Sequence, residues 1–229
     1  MSGDREKIMG RIREALAVPA PRHDAPARAH AIGGTTAGFR EWLPAVGDTF
    51  AAQLALFSRQ CDLLRTELCE CADVAAAATR LAAILEQSDG RRLACHPGEL
   101  NDQLIERLPK SCSIVQIAAE YDRELLETCD AALTECEALI AQTGSVCVTS
   151  RSSGGRALSV LPPHHIVVAR RAQLLSDLGA AYEQLAEKYR DGYPSFISFI
   201  SGPSRTGDIE RILVLGAHGP KNLTILLLP

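Results

Sequence analysis

Aromatic residues are scarce in this sequence of 229 residues, of which they make up 4%. A protein that binds single-stranded nucleic acid by base stacking needs aromatic platforms, and this composition argues against one. The chain also lacks the basic surplus of a duplex-binding protein, because its formal net charge is −4 and its pI is near 5.9. Its hydrophobic content of 46% is mostly aliphatic. We expect such a chain to bury about 70% of its unfolded surface in one sizeable core.

The sequence has no run of about 18 apolar residues that would span a bilayer. Its first residues, Met-Ser-Gly-Asp-Arg-Glu-Lys, contain no apolar signal core. We therefore expect a cytoplasmic protein whose eight cysteines stay reduced. No two cysteines are separated by two residues, so the sequence encodes neither a thioredoxin-like motif nor the usual ligand run of an iron–sulfur cluster. We expect no cofactor on this chain, and any redox step would pass its electrons through another subunit.

Several catalytic motifs are also missing. The sequence contains no GxGxxG, P-loop, HExxH or GxSxG pattern, which argues against dinucleotide, nucleoside triphosphate, zinc-protease and α/β-hydrolase chemistry. The adjacent histidines His164 and His165 follow two prolines. Neighbouring residues of an extended segment point to opposite faces, so this pair cannot readily chelate one ion. We predict no metal site.

The amino-terminal part of the chain predicts a separate element. Residues 4–17 have amphipathic helical periodicity, with Ile8, Ile12 and Leu16 on one face. Such a helix either docks on a partner or packs on its own domain. Residues 18–38 are rich in proline, glycine and alanine, which is typical of a mobile linker. We therefore predict a helix and linker over 1–38 and a single α/β domain over 39–229.

The remaining pattern alternates helical and strand-like segments, which predicts an α/β fold with a mostly parallel sheet flanked by helices. Helical periodicity covers 43–86, with one helix continuing through Leu64 and Leu68 and a second, alanine-rich helix over 72–85. Further helices are predicted over 99–108, 121–129 and 173–188, and strands over 91–96, 113–118, 137–141, 146–149, 166–169, 196–200 and 212–215.

The central block stands out by its charge. Residues 138–176 contain no Asp or Glu, although they carry four arginines and two histidines. Within this block, residues 140–145 read Ile-Ala-Gln-Thr-Gly-Ser, 155–159 read Gly-Arg-Ala-Leu-Ser and 161–166 read Leu-Pro-Pro-His-His-Ile. The polar loop 150–156 offers backbone N–H groups and the Arg156 guanidinium, which suit a carboxylate or phosphate. The alternative is a solvated hairpin tip whose glycines serve the turn.

The carboxy-terminal block contains two small-residue turns that each follow an apolar run. The first turn, residues 201–210, holds three hydroxyls, Arg205 and Asp208 among two glycines and a proline. The second, residues 216–220, carries His218 as its ionisable group. Their placement after strands favours a ligand site at strand ends. The alternative is structural, with Thr206 or Asp208 capping a short helix and Gly219-Pro220 forming a turn.

Taken together, these blocks resemble the lactate utilization protein C family across roughly residues 136–228. The match includes Ile-Ser-Gly-Pro-Ser at 200–204, Asp-Ile-Glu at 208–210, Val-Leu-Gly at 214–216 and His-Gly-Pro at 218–220. The resemblance implies a fold like that of ribose-phosphate isomerases, glucosamine-phosphate deaminases and coenzyme A transferases (NagB/RpiA/CoA transferase-like). It also implies a role in oxidising lactate to pyruvate, together with an iron–sulfur subunit and a cysteine-rich subunit.

We therefore expect a subunit of a lactate-oxidising complex that holds a small carboxylate or other anion. An isomerase- or transferase-like enzyme that acts alone on a small anionic metabolite is a second hypothesis, with Asp208 or Glu210 as the base. A non-catalytic scaffold or regulator that docks through residues 1–17 is a third, so whether the chain is an enzyme stays open. The predicted substrate-binding residues are Thr143, Gly144, Arg156, Ser201, Gly202, Ser204, Arg205 and Thr206, and the predicted catalytic residues are Asp208, Glu210 and His218.

Overall fold

A computed structural model describes residues 2–17, 43–87, 92–117, 122–207, 213–215 and 219–229. The chain divides into two compact units, Met1–Leu43 and Pro44–Pro229. The first unit contains one described helix, which agrees with the helical periodicity of residues 4–17. The predicted linker over 18–38 and the predicted boundary at 38 and 39 lie outside the described residues.

The second unit is built on a parallel sheet. The described strands are β1 (Glu67–Glu70), β2 (Arg92–Cys95), β3 (Ser113–Gln116), β4 (Ala131–Glu135), β5 (Ala138–Ile140), β6 (Ser145–Thr149), β7 (His164–Arg170), β8 (Leu174–Leu175), β9 (Ile197–Ile200), β10 (Arg205–Gly207), β11 (Leu213–Leu215) and β12 (Asn222–Leu228). In the described part of the chain, six of these strands lie in the spatial order β1-β12-β7-β4-β2-β3, and every neighbouring pair is parallel. This confirms the predicted α/β class.

A second, mixed sheet has the order β8-β5-β6-β9. Strands β5 and β6 form an antiparallel hairpin whose turn lies at 141–144, one residue before the predicted connection at 142–145, and β9 adds to β6 in antiparallel register. Strands β10 and β11 form a separate antiparallel pair. The helices are α1 (Ser2–Ala17), α2 (Phe50–Leu64), α3 (Val74–Gln87), α4 (Glu99–Ile105), α5 (Arg123–Glu127) and α6 (Leu178–Lys188), with a 3₁₀ turn at Arg171–Gln173. None of the described helices is long and apolar enough to cross a membrane.

The second unit has four layers of helices and sheets, which pack on one another through their apolar faces. Helices α3 and α4 cover one face of the parallel sheet, where Leu81 and Leu104 are fully buried. The second sheet covers the other face together with α2, whose Phe57 is fully buried between them. Helix α6 packs on the outer face of the second sheet through Leu185. A central strand such as β7 is buried on both faces, which explains why its Ile-Val-Val-Ala run is continuously apolar.

The prediction of one helix continuing through Leu68 was wrong. Helix α2 ends at Leu64, and Arg65 adopts a left-handed conformation with φ of 60° that turns the chain. Residues Glu67–Glu70 then form β1, because their main chain pairs with β12. The apparent helical spacing of Leu64 and Leu68 was overridden by this pairing between segments that are distant in sequence.

Three other features also differ from the predictions. The helix predicted over 173–188 starts at Leu178, since Asp177 caps it and Leu174–Leu175 pair with β5 instead. Strand β4 was not predicted, because its Ala-Ala-Leu-Thr-Glu sequence has no distinctive period. The alternative of a short helix capped by Thr206 does not hold, because residues 205–207 form β10.

Candidate functional site

The parallel sheet has a topological switch point between β2 and β4. The chain leaves β2 towards β3 on one side, whereas the next strand of this sheet after β4 is β7, on the other side. In open α/β sheets the crevice beyond the carboxyl ends of two such strands is the usual place for a ligand. The residues that follow β2 and end β4 therefore define the candidate site.

The crevice contains buried polar side chains, some of whose atoms have no hydrogen-bond partner among the described residues. Asn101 is fully buried and donates through Nδ2 to the His96 carbonyl at 2.8 Å. Glu135 accepts from the Leu100 backbone N–H at 2.8 Å, which ties the end of β4 to the start of α4. The His96 Nδ1 and Asn101 Oδ1 atoms are buried and have no hydrogen-bond partner among the described residues. An unpaired buried polar atom costs about 1–3 kcal/mol, and a functional role is one of the reasons for which such a cost is retained.

The serine- and glycine-rich loop 150–156 lies over this crevice. Gly154 has φ of 66°, and a Cβ there would lie 2.7 Å from His96 Nδ1, so only glycine allows this approach. The Thr149 hydroxyl oxygen accepts from the backbone N–H groups of Arg151 and Ser152, at 3.1 and 3.2 Å. These two backbone N–H groups therefore form hydrogen bonds within the loop and do not point to a ligand. The loop is a pre-shaped connection rather than a hairpin tip, and it places Arg156 near the carboxyl edge of the sheet.

A cavity of about 230 Å³ lies beside Arg156. Arg123, the first residue of α5, supplies a second guanidinium, and Ala157, Val160 and Leu161 supply apolar walls. Arg123 also forms an ion pair with Glu127, whose Oε1 lies 2.8 Å from the Arg123 Nε. Arg156 is exposed and has no ion-pair partner in the described part of the chain. The arrangement suits a small organic anion, because a guanidinium fork matches a carboxylate and the walls accept a short apolar group.

A buried carboxylate that sequence analysis missed supports the loop. The Glu137 side chain is 3% exposed and receives hydrogen bonds from Lys188 Nζ at 2.5 Å, from the Tyr189 hydroxyl at 2.5 Å and from the Thr149 hydroxyl at 3.0 Å. Burial by itself raises the pKa of Glu137, but these hydrogen bonds outweigh burial and lower the pKa below its ordinary value. Glu137 thus joins the end of α6 to Thr149, at the root of the loop. The available signal in the sequence was that Glu137 immediately precedes the stretch 138–176, which contains no Asp or Glu.

The other predicted substrate-binding residues lie elsewhere, around the carboxyl end of α2. The Ser145 hydroxyl lies 2.7 Å from both the Thr143 and the Ser201 hydroxyls, so the three form a chain that links the β5–β6 turn to the end of β9. Gly144 packs against Gln60 and Leu64, where a Cβ would lie 2.7 Å from the Gln60 Cβ.

The loop after β9 contacts the same helix end. A Cβ at Gly202 would lie 2.9 Å from the Leu64 carbonyl oxygen, and the Arg205 guanidinium donates to that oxygen. The Ser204 backbone N–H donates to the Pro220 carbonyl at 2.9 Å. These contacts give Gly202 and Arg205 a structural use, and their predicted role in substrate binding stays a prediction. Thr206 lies in β10, and Asp208, Glu210 and His218 lie outside the described residues.

The adjacent histidines point to different partners on different strands. His164 Nε2 lies 2.8 Å from the Thr224 hydroxyl, and His165 Nε2 lies 2.9 Å from the Thr134 hydroxyl. His165 is fully buried, and burial followed by the charge of His164 lowers its pKa to about 3. Within the described ranges, no group of three His, Cys, Asp or Glu side chains is placed to hold a metal ion.

The thiols behave as small core side chains. Six of the eight cysteines are buried, and Cys69 and Cys112 are half-buried. Burial raises the pKa of every one of these thiols, so thiolate is disfavoured at neutral pH.

Comparisons with known proteins place this geometry in a family. Lactate utilization protein C of Deinococcus radiodurans is 38% identical over 102 residues, which cover 44% of this chain and 47% of that protein. The uncharacterized protein YkgG of Escherichia coli is 32% identical over 75% of this chain and 76% of its own length. A crystal structure of a DUF162 family protein from Deinococcus radiodurans superposes with a TM-score of 0.64 at 24% identity and covers 80% of this chain and all of that one, which supports the fold.

The chain spans about half the length of the Deinococcus lactate utilization protein C. The model of the LUD domain matches residues 54–228, which include the parallel sheet, the loop 150–156 and both small-residue turns. This match confirms the resemblance seen in the central and carboxy-terminal blocks, and the chain belongs to the LUD domain family.

Proposed function

We propose that this protein is a cytoplasmic subunit of a complex that oxidises lactate to pyruvate, and that the cavity beside Arg156 holds the small carboxylate. The observation that carries the proposal is a guanidinium without an acidic partner in the described residues, next to a cavity of about 230 Å³ that a second guanidinium also lines. The name of the Deinococcus relative supports lactate as the substrate. A cavity of this size accommodates an organic acid of a few heavy atoms.

In this proposal, Arg156 forms the main ion pair with the carboxylate, and Arg123 contributes a weaker one because Glu127 already accepts from it. The methyl group of lactate would lie against Val160 and Leu161. Oxidation removes two electrons and two protons from the substrate. The electrons would pass to the iron–sulfur and cysteine-rich subunits that the family resemblance implies, and Asp208, Glu210 and His218 remain the predicted catalytic residues.

Binding of L-lactate to the purified full chain tests the site. Loss of a charge-assisted hydrogen bond costs about 1.5–3 kcal/mol, so Arg156→Gln should raise the Kd for lactate by about 10- to 100-fold. Arg190→Gln is the matched control, because Arg190 is an exposed arginine near the end of α6 that pairs only with Glu187 among the described residues. Equal affinities for the wild type and Arg156→Gln would refute the role of Arg156.

Membership of a complex needs a separate experiment. The tagged chain, purified from its native cells with lactate present, should recover iron–sulfur and cysteine-rich proteins and catalyse lactate oxidation. The Arg156→Gln chain should recover the same partners with reduced oxidation. Recovery of the chain alone would overturn the proposal and favour an enzyme that acts alone on a small anionic metabolite.

A further inference from the structure

A second cavity lies at the amino edge of the parallel sheet, whereas the candidate site lies at the carboxyl edge. Its volume is about 320 Å³, which is the size of a site for a small metabolite. It lies where β1, β7 and β12 begin, next to the last turn of α3. The polar residues that line it are Arg65, Glu67, Gln87, His164, Asn222 and Thr224.

A chain of hydrogen bonds on one side of this cavity determines which ring nitrogen of His164 carries the proton. The Thr224 hydroxyl donates to Glu67 Oε2 at 2.9 Å, which uses its single hydrogen. The same oxygen lies 2.8 Å from His164 Nε2 and must accept, so the ring carries its proton on Nε2. Nδ1 of His164 is then a lone-pair acceptor, and it has no hydrogen-bond partner in the described part of the chain.

One of the charged side chains that line this cavity is a guanidinium without an ion-pair partner among the described residues. The Glu67 carboxylate already receives a hydrogen bond from the Arg80 guanidinium. Arg65 is exposed and has no ion-pair partner among the residues that the structure describes. The cavity therefore presents one free guanidinium, one imidazole acceptor and the amides of Gln87 and Asn222, which both donate and accept hydrogen bonds.

We propose that this cavity is a second ligand site, separate from the Arg156 cavity, and that it binds a polyhydroxylated carboxylate. The carboxylate pairs with Arg65, and one hydroxyl donates to His164 Nδ1. Gln87 and Asn222 bind further hydroxyls. Thr224 and Glu67 are positioning residues that hold the imidazole in the accepting tautomer. Burial lowers the pKa of His164, which keeps the ring neutral and able to accept at neutral pH.

The test uses the full chain with ¹⁵N-labelled histidine and D-gluconate as the probe. Gluconate at millimolar concentration should shift the Nδ1 resonance of His164 and leave the ring of the buried His165 unchanged. Acetate has the charge without the hydroxyls, and glucose has the hydroxyls without the charge, so each should bind at least about ten-fold more weakly. An unmoved His164 resonance, or equal responses to all three probes, would overturn the proposal.

Variants separate this site from the Arg156 cavity. Arg65→Gln should raise the Kd for gluconate by about ten-fold or more, whereas Arg59→Gln, an exposed arginine of α2 that does not line the cavity, should not. Arg156→Gln should leave gluconate binding at His164 unchanged even where it abolishes lactate binding. Gluconate binding that Arg156→Gln removes would contradict a separate site.

The role of the positioning residues has its own readout. Glu67→Ala removes the oxygen atom that accepts from Thr224, and the Glu67 side chain is exposed enough that folding should be retained. The ¹⁵N spectrum of His164 should then show a mixture of tautomers, with weaker gluconate binding. An unchanged tautomer in Glu67→Ala would refute the hydrogen bonds through Thr224 as the cause of the ring's tautomer.

Discussion

Acid should destabilise this protein through one buried ring, that of His165. The ring is fully buried, its Nε2 lies 2.9 Å from the Thr134 hydroxyl, and its Nδ1 has no hydrogen-bond partner among the described residues. Protonation would place a positive charge in this environment, so burial lowers the pKa of His165 to about 3 in the folded protein. In the unfolded chain the same ring titrates near about 6.5.

The size of the effect follows from these two values. Between pH 6.5 and pH 3 the unfolded state binds a proton at His165 that the folded state does not bind, so stability falls as the pH is lowered through this window. Linkage then gives a loss of about 2 kcal/mol at pH 5 and about 3 kcal/mol at pH 4 from this residue alone. Such losses are a large part of the stability of an ordinary domain.

Urea denaturation of the full chain at pH 7, 6, 5 and 4 measures this dependence. His165→Gln keeps a polar group near Thr134 but does not titrate, so its free energy of unfolding should fall less steeply between pH 6.5 and pH 4. Thr134→Val is the matched control, because it removes the partner and leaves the ring. It should lose about 1–3 kcal/mol at every pH with the slope of the wild type. Parallel curves for the wild type and His165→Gln would refute the reasoning.

Three further perturbations test other parts of the structure. Glu137→Gln should lower the free energy of unfolding by about 1.5–3 kcal/mol at pH 7. Because the pKa of Glu137 is lowered in the folded protein, its stabilisation is present above about pH 4.5 and is lost as the pH falls further, so the difference from the wild type should shrink in acid. A difference that is constant down to pH 3 would contradict this. Gly202→Ala, with φ of 85° and a contact of 2.9 Å to the Leu64 carbonyl, should cost at least about 1–2 kcal/mol, whereas Gly192→Ala, which meets nothing within 4 Å, should be nearly neutral in the same denaturation assay. A thiol reagent should react with the half-buried Cys69 and Cys112 before the six buried thiols in the folded protein, and with all eight cysteines only after unfolding. Reaction of a buried thiol such as Cys136 as fast as that of Cys69 would contradict the buried placement.

Local signals in the sequence predicted much of the fold. The two apolar runs joined at 142–145 predicted the paired strands β5 and β6, and the apolar run 166–169 predicted the strand that became β7. Strands β1 and β4 were missed because each is short, and main-chain pairing with distant strands rather than local propensity determines their conformation. Local periodicity contains no information about such partners.

The candidate sites show the same limit. Arg156 was predicted as an anion ligand from its loop, but its neighbour Arg123 comes from a helix on a different segment, and nothing in the sequence connects them. The predicted set around Ser201 and Arg205 was treated as one site with Arg156, yet the structure places it at the carboxyl end of α2. His164 was noted for its tandem position, whereas the Thr224 and Glu67 that orient it became visible only in three dimensions.

The position of β12 has a consequence for how the protein is made. In the described structure, β12 lies between β7 and β1, and it connects β1 to the rest of the parallel sheet. Thr224 and Glu67, which bond across this junction, are 157 residues apart in sequence. Strand β1 therefore leaves the ribosome early and must wait, unpaired, until β12 has been synthesised. Contacts between such distant segments form slowly, so completion of this sheet is expected to be a late step after translation, during which the exposed edge of β7 is the surface most open to wrong pairing.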